Sequence, residues 1–216
     1  MSNPIILYLI VLFICVGTTS FFPAKPLGCY GDGGACFTND KELAIKIRAL
    51  KQHGGLERFV KPYIGVNARL DTLQAAILDV KLDYFDDSLK KRRGCAEFYN
   101  MELSDLEKDK HVKLPKLLGK RESSWAVYPI IVKSKAVRDD MVQYLKTQKV
   151  NVAIYYPVPL HYMDCFSSLG YHKGSLPITE RIVDTVFNLP CYPELTMEEK
   201  HFMVSMIKAF FCSDKV

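Results

Sequence analysis

The chain has 216 residues, 49% of them apolar and 25% charged, with a formal net charge of +5. That length suffices for one sizeable core, and the composition is ordinary for a globular protein. Lysines and glutamates interleave without forming a basic block, so nucleic-acid binding has no compositional support. The seven cysteines form no CxxC pair and are odd in number. Reduced thiols in a cytoplasmic protein are therefore expected, and no His/Cys spacing suggests a metal site.

The first feature in chain order is an apolar run, Ile5 to Val16. It is short for a membrane span, which needs about 20 residues. It has the length of a signal-peptide core, but Met1-Ser2-Asn3-Pro4 carries no basic residue. A signal or anchor, a buried strand or helix, and a mis-specified start all fit the run. The third is the expectation here, with no cleaved signal and no membrane partner.

Next comes Thr18-Thr19-Ser20-Phe21-Phe22-Pro23-Ala24-Lys25-Pro26-Leu27-Gly28-Cys29-Tyr30-Gly31-Asp32-Gly33-Gly34-Ala35. A single lysine lies between a hydroxyl-rich strand end and a loop with four glycines. A lysine amine becomes nucleophilic when desolvated or set near other cations, and glycines let a backbone approach a ligand closely. A glycine-rich turn with an exposed lysine is the bland alternative for the same residues.

Ala35 to Phe37 is predicted to be a short buried strand. Asn39, with Glu42 three residues on, predicts a capped helix carrying Leu43, Ile47 and Leu50 on one face and stopped by Gly54-Gly55. Asp71 and Gln74 form a second capping signature. Leu73, Ile77, Val80 and Tyr84 follow at helical spacing, predicting one long helix to about Met101. Lys113 to Lys120 is a polar connection, and Ser124 to Val132 a strand whose Trp125 and Tyr128 belong to the core. Val137, Met141 and Leu145 mark a helix, and Val152 to Tyr156 a short strand. Thr196 and Glu199 open a last helix with Met203, Met206, Ile207 and Phe210 on one side. The order β-α-α-β-α-β-α predicts a mixed α/β fold. Cys29 and Cys36 read as small buried residues.

The segment Thr18 to Asp40 resembles the active-site lysine region of the DegT/DnrJ/EryC1/StrS sugar aminotransferases, whose loop reads roughly S-F-[FY]-P-x-K-x-L-G-x-x-G-D-G-G. Every fixed position is present. Gly65-Val66-Asn67-Ala68-Arg69-Leu70-Asp71-Thr72-Leu73-Gln74-Ala75-Ala76 and Tyr156-Pro157-Val158-Pro159-Leu160-His161 are similar to two further family segments. The resemblance covers about 17–211.

It implies an α/β fold, a partial fold-type-I pyridoxal-phosphate-dependent transferase of the aspartate-aminotransferase type. Residues 17–110 would be the end of the large domain with a long linking helix. Residues 111–216 would be the small C-terminal α/β domain, and 1–16 a leader. The cofactor implied is pyridoxal 5'-phosphate. Lys25 would bind it covalently and later shuttle a proton, and Ser20 would hold its phosphate. Asn67 would reach the phosphate of the neighbouring subunit's cofactor, because family sites are built across a homodimer. Arg69, Tyr155 and His161 would contact the substrate. Arg69 also fits a helix-start ion pair with Asp71 or Asp83, and His161 a structural hydrogen bond.

The segments around Lys25 and Asn67 are most similar to the branch acting on a UDP-linked 3-keto-N-acetylhexuronic acid. An arginine fork suits the uronate carboxylate there. The partners implied are a nucleotide sugar and an amino-acid donor, glutamate being the family's usual one. Family members are nearly twice this length. The chain is accordingly expected to be a C-terminal portion, inactive alone. A non-catalytic remnant pairing with a full-length homologue, or a membrane-tethered fragment, are the alternatives.

Overall fold

The computed structural model describes residues 16–212. All of the apolar run except Val16 lies outside those residues. Among the described residues no helix is long and apolar enough to cross a membrane. The chain divides into two compact units, Met1–Asp87 and Ser88–Val216.

In the first unit, β1 (Gly17–Ser20) pairs antiparallel with β2 (Gly34–Phe37), Gly17 opposite Phe37 and Ser20 opposite Gly34. Helix α1 (Lys41–Leu50) follows. Its cap is Asp40, one residue later than the predicted Asn39. The Asp40 carboxylate accepts from the N–H groups of Glu42 and Leu43 at 2.9 and 3.0 Å. Glu42 in its first turn and Arg48 in its last complement the helix dipole. The helix ends before the Gly54-Gly55 pair, and Gly54 then takes φ +84° while donating its N–H to Ala49.

The predicted long helix is two helices, α2 (Thr72–Asp83) and α3 (Phe85–Glu102), interrupted at Tyr84. The apolar spacing continues across Tyr84, so periodicity alone did not reveal the break. In α2 only Leu78 is buried, while Leu73, Val80 and Tyr84 of the predicted inner face are 63–71% exposed. Cys36 is likewise exposed, because it lies on the open face of the two-stranded β1–β2 sheet.

The second unit has its own core. Helix α3 buries Arg92, Cys95, Ala96, Phe98 and Tyr99 along one stripe, at spacings of three and four. The units therefore divide between Asp87 and Ser88, because this stripe packs with the C-terminal elements. Short α4 (Ser104–Lys108) leads into β3 (Val112–Lys113), which pairs antiparallel with β4 (Tyr128–Val132). On β4, Tyr128, Ile130 and Val132 alternate inward. Trp125 is buried but precedes the strand, at φ +46°.

Helix α5 (Lys135–Thr147) is capped by Ser134 and buries Val137, Met141 and Leu145, as its spacing requires. Two 3-10 turns (Leu160–Tyr162 and Asp164–Leu169) precede α6 (Pro177–Thr185). β5 (Val186–Leu189), buried throughout, pairs antiparallel with β4. The predicted strand over 152–156 reduces to a single bridge, Ala153 with Asn188. Its proline-flanked residues leave little backbone able to extend the ladder. α7 (Met197–Cys212) carries the predicted capping box. Glu199 Oε2 accepts from Thr196 N at 2.8 Å, and Thr196 Oγ1 accepts from Glu199 N at 3.2 Å.

Gly94 lies in the interior of α3, and a Cβ built there meets nothing within 4 Å. Gly94→Ala is expected to raise unfolding free energy by about 0.5–1 kcal/mol. Met141→Ala, at a fully buried site, should lower it by roughly 2–5 kcal/mol. Trp125 is the one tryptophan and is buried in this core. Urea titration followed by its fluorescence measures both, and a destabilising Gly94→Ala would contradict the open environment.

Candidate functional site

The connection between β1 and β2, residues 21–33, is the lysine loop. It closes on itself. Phe21 N–H donates to Gly33 O, and Cys29 N–H donates to Phe21 O, each at 2.8 Å. The Cys29 thiol lies 3.0 Å from two carbonyls, those of Phe21 and Gly31. A thiol has one hydrogen, so it serves one of them at a time. Cys29 is fully buried and acts as the loop's core. Gly28 is required by close approach: a Cβ there would lie 2.6 Å from Pro23 O and 2.7 Å from Phe22 O.

α2 holds the loop from outside. Gln74 Oε1 accepts from Tyr30 N–H at 2.8 Å. Lys81 Nζ donates to Gly28 O at 2.6 Å and lies 5.0 Å from the centroid of the Tyr30 ring. The capping box predicted for Asp71 and Gln74 is thus not made. Asp71 is the N-cap residue without a side-chain bond, and Gln74 is spent on the loop. Gln74 and Lys81 were missed as site-supporting residues. Their only sequence signal is that they lie seven apart, two turns along one helix face.

Lys25 lies in the turn at the far end of this loop, where its N–H donates to Phe22 O at 2.8 Å. Its side chain is exposed. Ser20 ends β1, and its Oγ accepts from Phe22 N–H at 3.2 Å, leaving the hydroxyl hydrogen to be donated elsewhere.

Asn67 and Arg69 belong to the same unit, on a segment strapped to the end of α1. Val66 N–H donates to Leu50 O at 2.8 Å, Ala68 N–H to Lys51 O at 3.0 Å, and His53 N–H to Val66 O at 3.1 Å. Arg69 Nε donates to Asn67 Oδ1 at 3.0 Å. Arg69 thus meets Asn67, not Asp71 or Asp83 as the helix-start alternative had it. The contact occupies the amide oxygen and leaves the Asn67 NH₂ and the Arg69 Nη groups as donors. An apolar concavity of about 930 Å³ lies beside β1, β2 and α1, lined by Thr19, Phe21, Ala35, Phe37, Ile47 and Leu70 among others. Lys25, Ser20 and Asn67 do not line it.

Tyr155 and His161 belong to the second unit. Tyr155 is 49% exposed, whereas His161 is buried. His161 Nε2 lies 3.1 Å from Glu180 Oε1. Glu180 also accepts from Gly174 N–H at 2.9 Å and Leu176 N–H at 3.2 Å. Partial desolvation opposes its ionisation, but the bonds from Gly174, His161 and Leu176 outweigh it and hold the carboxyl down to about 2. Glu180 was not singled out from the sequence. Its signal was Pro177 followed by an acid three residues on, an N-terminal helix pattern. No cluster of metal-ligating side chains occurs among the described residues.

The sequence profile of the DegT/DnrJ/EryC1/StrS aminotransferase family matches residues 13–208. A UDP-2-acetamido-2-deoxy-3-oxo-D-glucuronate aminotransferase of Pseudomonas aeruginosa is 39% identical over 180 residues, 83% of this chain and 47% of that protein. The crystal structure of a DegT DnrJ EryC1 StrS aminotransferase from Brucella abortus superposes with a TM-score of 0.82 at 39% identity. It covers 91% of this chain and 51% of its own. NtdA from Bacillus subtilis, solved with bound cofactor PMP, gives 0.82 at 30% identity, over 92% of this chain and 46% of its own. The chain spans about half the length of the curated relatives it matches. The matched part has the partial fold-type-I α/β architecture of these enzymes.

Two outcomes are expected from this geometry. Gln74→Ala removes the acceptor for Tyr30 N–H, and Gly28→Ala forces a Cβ against the Phe22 and Pro23 carbonyls. Both should accelerate amide hydrogen exchange across 21–33 while leaving α5 and β4 unchanged. Glu180 is depressed in the folded state from an ordinary value near 4.3 to about 2. Its stabilisation of the 161–176 region is therefore complete above roughly 4.3 and is lost as pH falls toward 2. A carbon-13 titration of the Glu180 carboxyl with an ordinary midpoint would contradict the hydrogen-bond set.

Proposed function

The chain belongs to the DegT/DnrJ/EryC1/StrS aminotransferase family, whose enzymes depend on pyridoxal phosphate, and on that premise we propose that it carries the lysine half of a nucleotide-sugar transamination site. The observation that carries the reading is Lys25, presented on a turn within a closed glycine loop whose first strand ends in a hydroxyl donor. The substrate proposed is a UDP-linked 3-keto-N-acetylhexuronic acid, with glutamate as amino donor, in surface-polysaccharide biosynthesis in the cytoplasm. The printed name of the Pseudomonas aeruginosa relative supports the sugar class.

The donor set fits the phosphorylated cofactor. Ser20 keeps its hydroxyl hydrogen, Asn67 keeps its NH₂, and the Arg69 fork keeps its Nη donors. These groups suit phosphate and carboxylate oxygens. When bound, pyridoxal phosphate supplies an electron sink. Lys25 would hold it through its Nζ, the atom that would also carry a proton. Ser20 would bind phosphate from the strand end. Asn67 is proposed to serve the site of a second copy. The neighbouring residues Phe59 and Ile64 are 86% and 100% exposed, which supports a covering partner there and a homodimer. Arg69, Tyr155 and His161 are proposed to contact the sugar nucleotide.

The remaining ring contacts are proposed to come from sequence beyond these 216 residues. Losing one electrostatic partner costs roughly 10²–10³ in rate, so the chain alone should show little turnover. Fused to the N-terminal half of a close relative, it is expected to bind cofactor with a visible absorption band and to transfer nitrogen from glutamate. Lys25→Ala should abolish both. Robust turnover by the chain alone, or a fusion indifferent to Lys25→Ala, contradicts this reading.

A further inference from the structure

We propose that Glu180 is a positioning residue that fixes the His161 ring with Nε2 as donor and Nδ1 as the acceptor offered to the sugar nucleotide. The proposal rests on the reading of His161 as a substrate contact.

The argument begins at the start of α6. Pro177 occupies the first turn, where its missing N–H costs nothing. The side chain of Glu180, one turn on, reaches back across the preceding loop. It accepts from Gly174 N–H, Leu176 N–H and His161 Nε2. The His161 and Glu180 side chains are 6% and 16% exposed, so water competes little for these bonds. Gly174, at φ +91°, turns the loop so that its N–H meets the carboxylate.

An ionised carboxylate only accepts. The ring nitrogen facing Glu180 must therefore carry the hydrogen, and in the neutral ring Nδ1 is left with the lone pair. The ring is further confined by Tyr162 and Tyr171, whose centroids lie 4.4 and 6.1 Å away. A cavity of about 360 Å³ opens here, lined by His161, Tyr162, Tyr171 and Lys173 among others. An acceptor nitrogen suits a sugar hydroxyl or an amide N–H. Lys173 and Asp164 both line the cavity, which therefore offers one cation and one carboxylate beside the ring. Orientation of a ligand nitrogen through a carboxylate on the opposite ring atom is a general device.

The test uses the full chain with nitrogen-15-labelled histidine, read by long-range proton–nitrogen spectra at a pH where the ring is neutral. His161 is expected as a single tautomer with hydrogen on Nε2 and a resolved, slowly exchanging ring N–H. Glu180→Ala should lose that resonance, and Glu180→Gln, which keeps one acceptor oxygen, should retain it. Methyl signals of Met141 and Ile207 report whether each variant keeps its core. A hydrogen on Nδ1, or a ring N–H that survives Glu180→Ala, overturns the orientation. Titration with UDP-N-acetylglucosamine should shift His161 Nδ1. If it does not shift while Glu180→Ala still loses the resonance, the substrate contact is refuted and the orientation stands.

Discussion

Closure of residues 21–33 around the Cys29 side chain is the constraint on which the lysine site depends. A loop of this length would ordinarily sample many conformations, and an amine on it would have no defined position. Here the Phe21–Gly33 bond joins the two ends of the loop, and the Cys29–Phe21 bond ties its middle back to its start. The buried thiol fills the space that remains. Gly28 is the point where the chain crosses itself, with no room for a Cβ between the Phe22 and Pro23 carbonyls. Lys25 inherits a fixed turn from this arrangement, while its own side chain makes no demand on the core.

The support comes from polar side chains used against backbone groups. Gln74 and Lys81 on α2 satisfy Tyr30 N–H and Gly28 O. Lys61 does the same for the neighbouring loop, donating to the carbonyls of Gly55 and Glu57 at 3.1 Å each. The second unit repeats the device with buried arginines. Arg92 donates to the Trp125 and Cys191 carbonyls, and Arg138 to those of Val183 and Val186. Burial pulls the pKa of Arg92 down, opposed by nearby Cys191 and Glu194. Such cations are tolerated inside because loop carbonyls there need donors as much as the guanidinium needs acceptors. Tyr99 contributes in the same way, its hydroxyl donating to Pro190 O at 2.9 Å.

The two units use their apolar residues differently. In the second, α5 and α7 bury the stripes predicted for them, in one cluster with α3 and the β3–β4–β5 sheet. In the first, α2 carries an equally regular stripe, yet Leu73, Val80 and Tyr84 remain exposed in a single copy. The same periodicity thus describes a core in one unit and a surface in the other. Only the positions of neighbouring elements separate the two outcomes.

Local chemistry made much of this molecule legible in its sequence. The Thr196–Glu199 box, the helix marked by Val137, Met141 and Leu145, and the short strands flanking the lysine loop each depend on residues close together in the chain. The motif around Lys25, Asn67 and His161 was legible for the same reason, and it sufficed to place the chain in its family. What the sequence could not supply were choices between competing partners. Gln74 was equally able to cap α2 or hold Tyr30. Glu180 was equally able to face solvent or gather His161, Gly174 and Leu176. Residues 152–156 were extended in pattern but became a single bridge. In each case at least one deciding group lies 19 to 44 residues away, as in the Glu180–His161 and Gln74–Tyr30 bonds. Which donor meets which acceptor over such separations is settled by the packing that brings them within about 3 Å, and no periodicity or capping rule reaches that far.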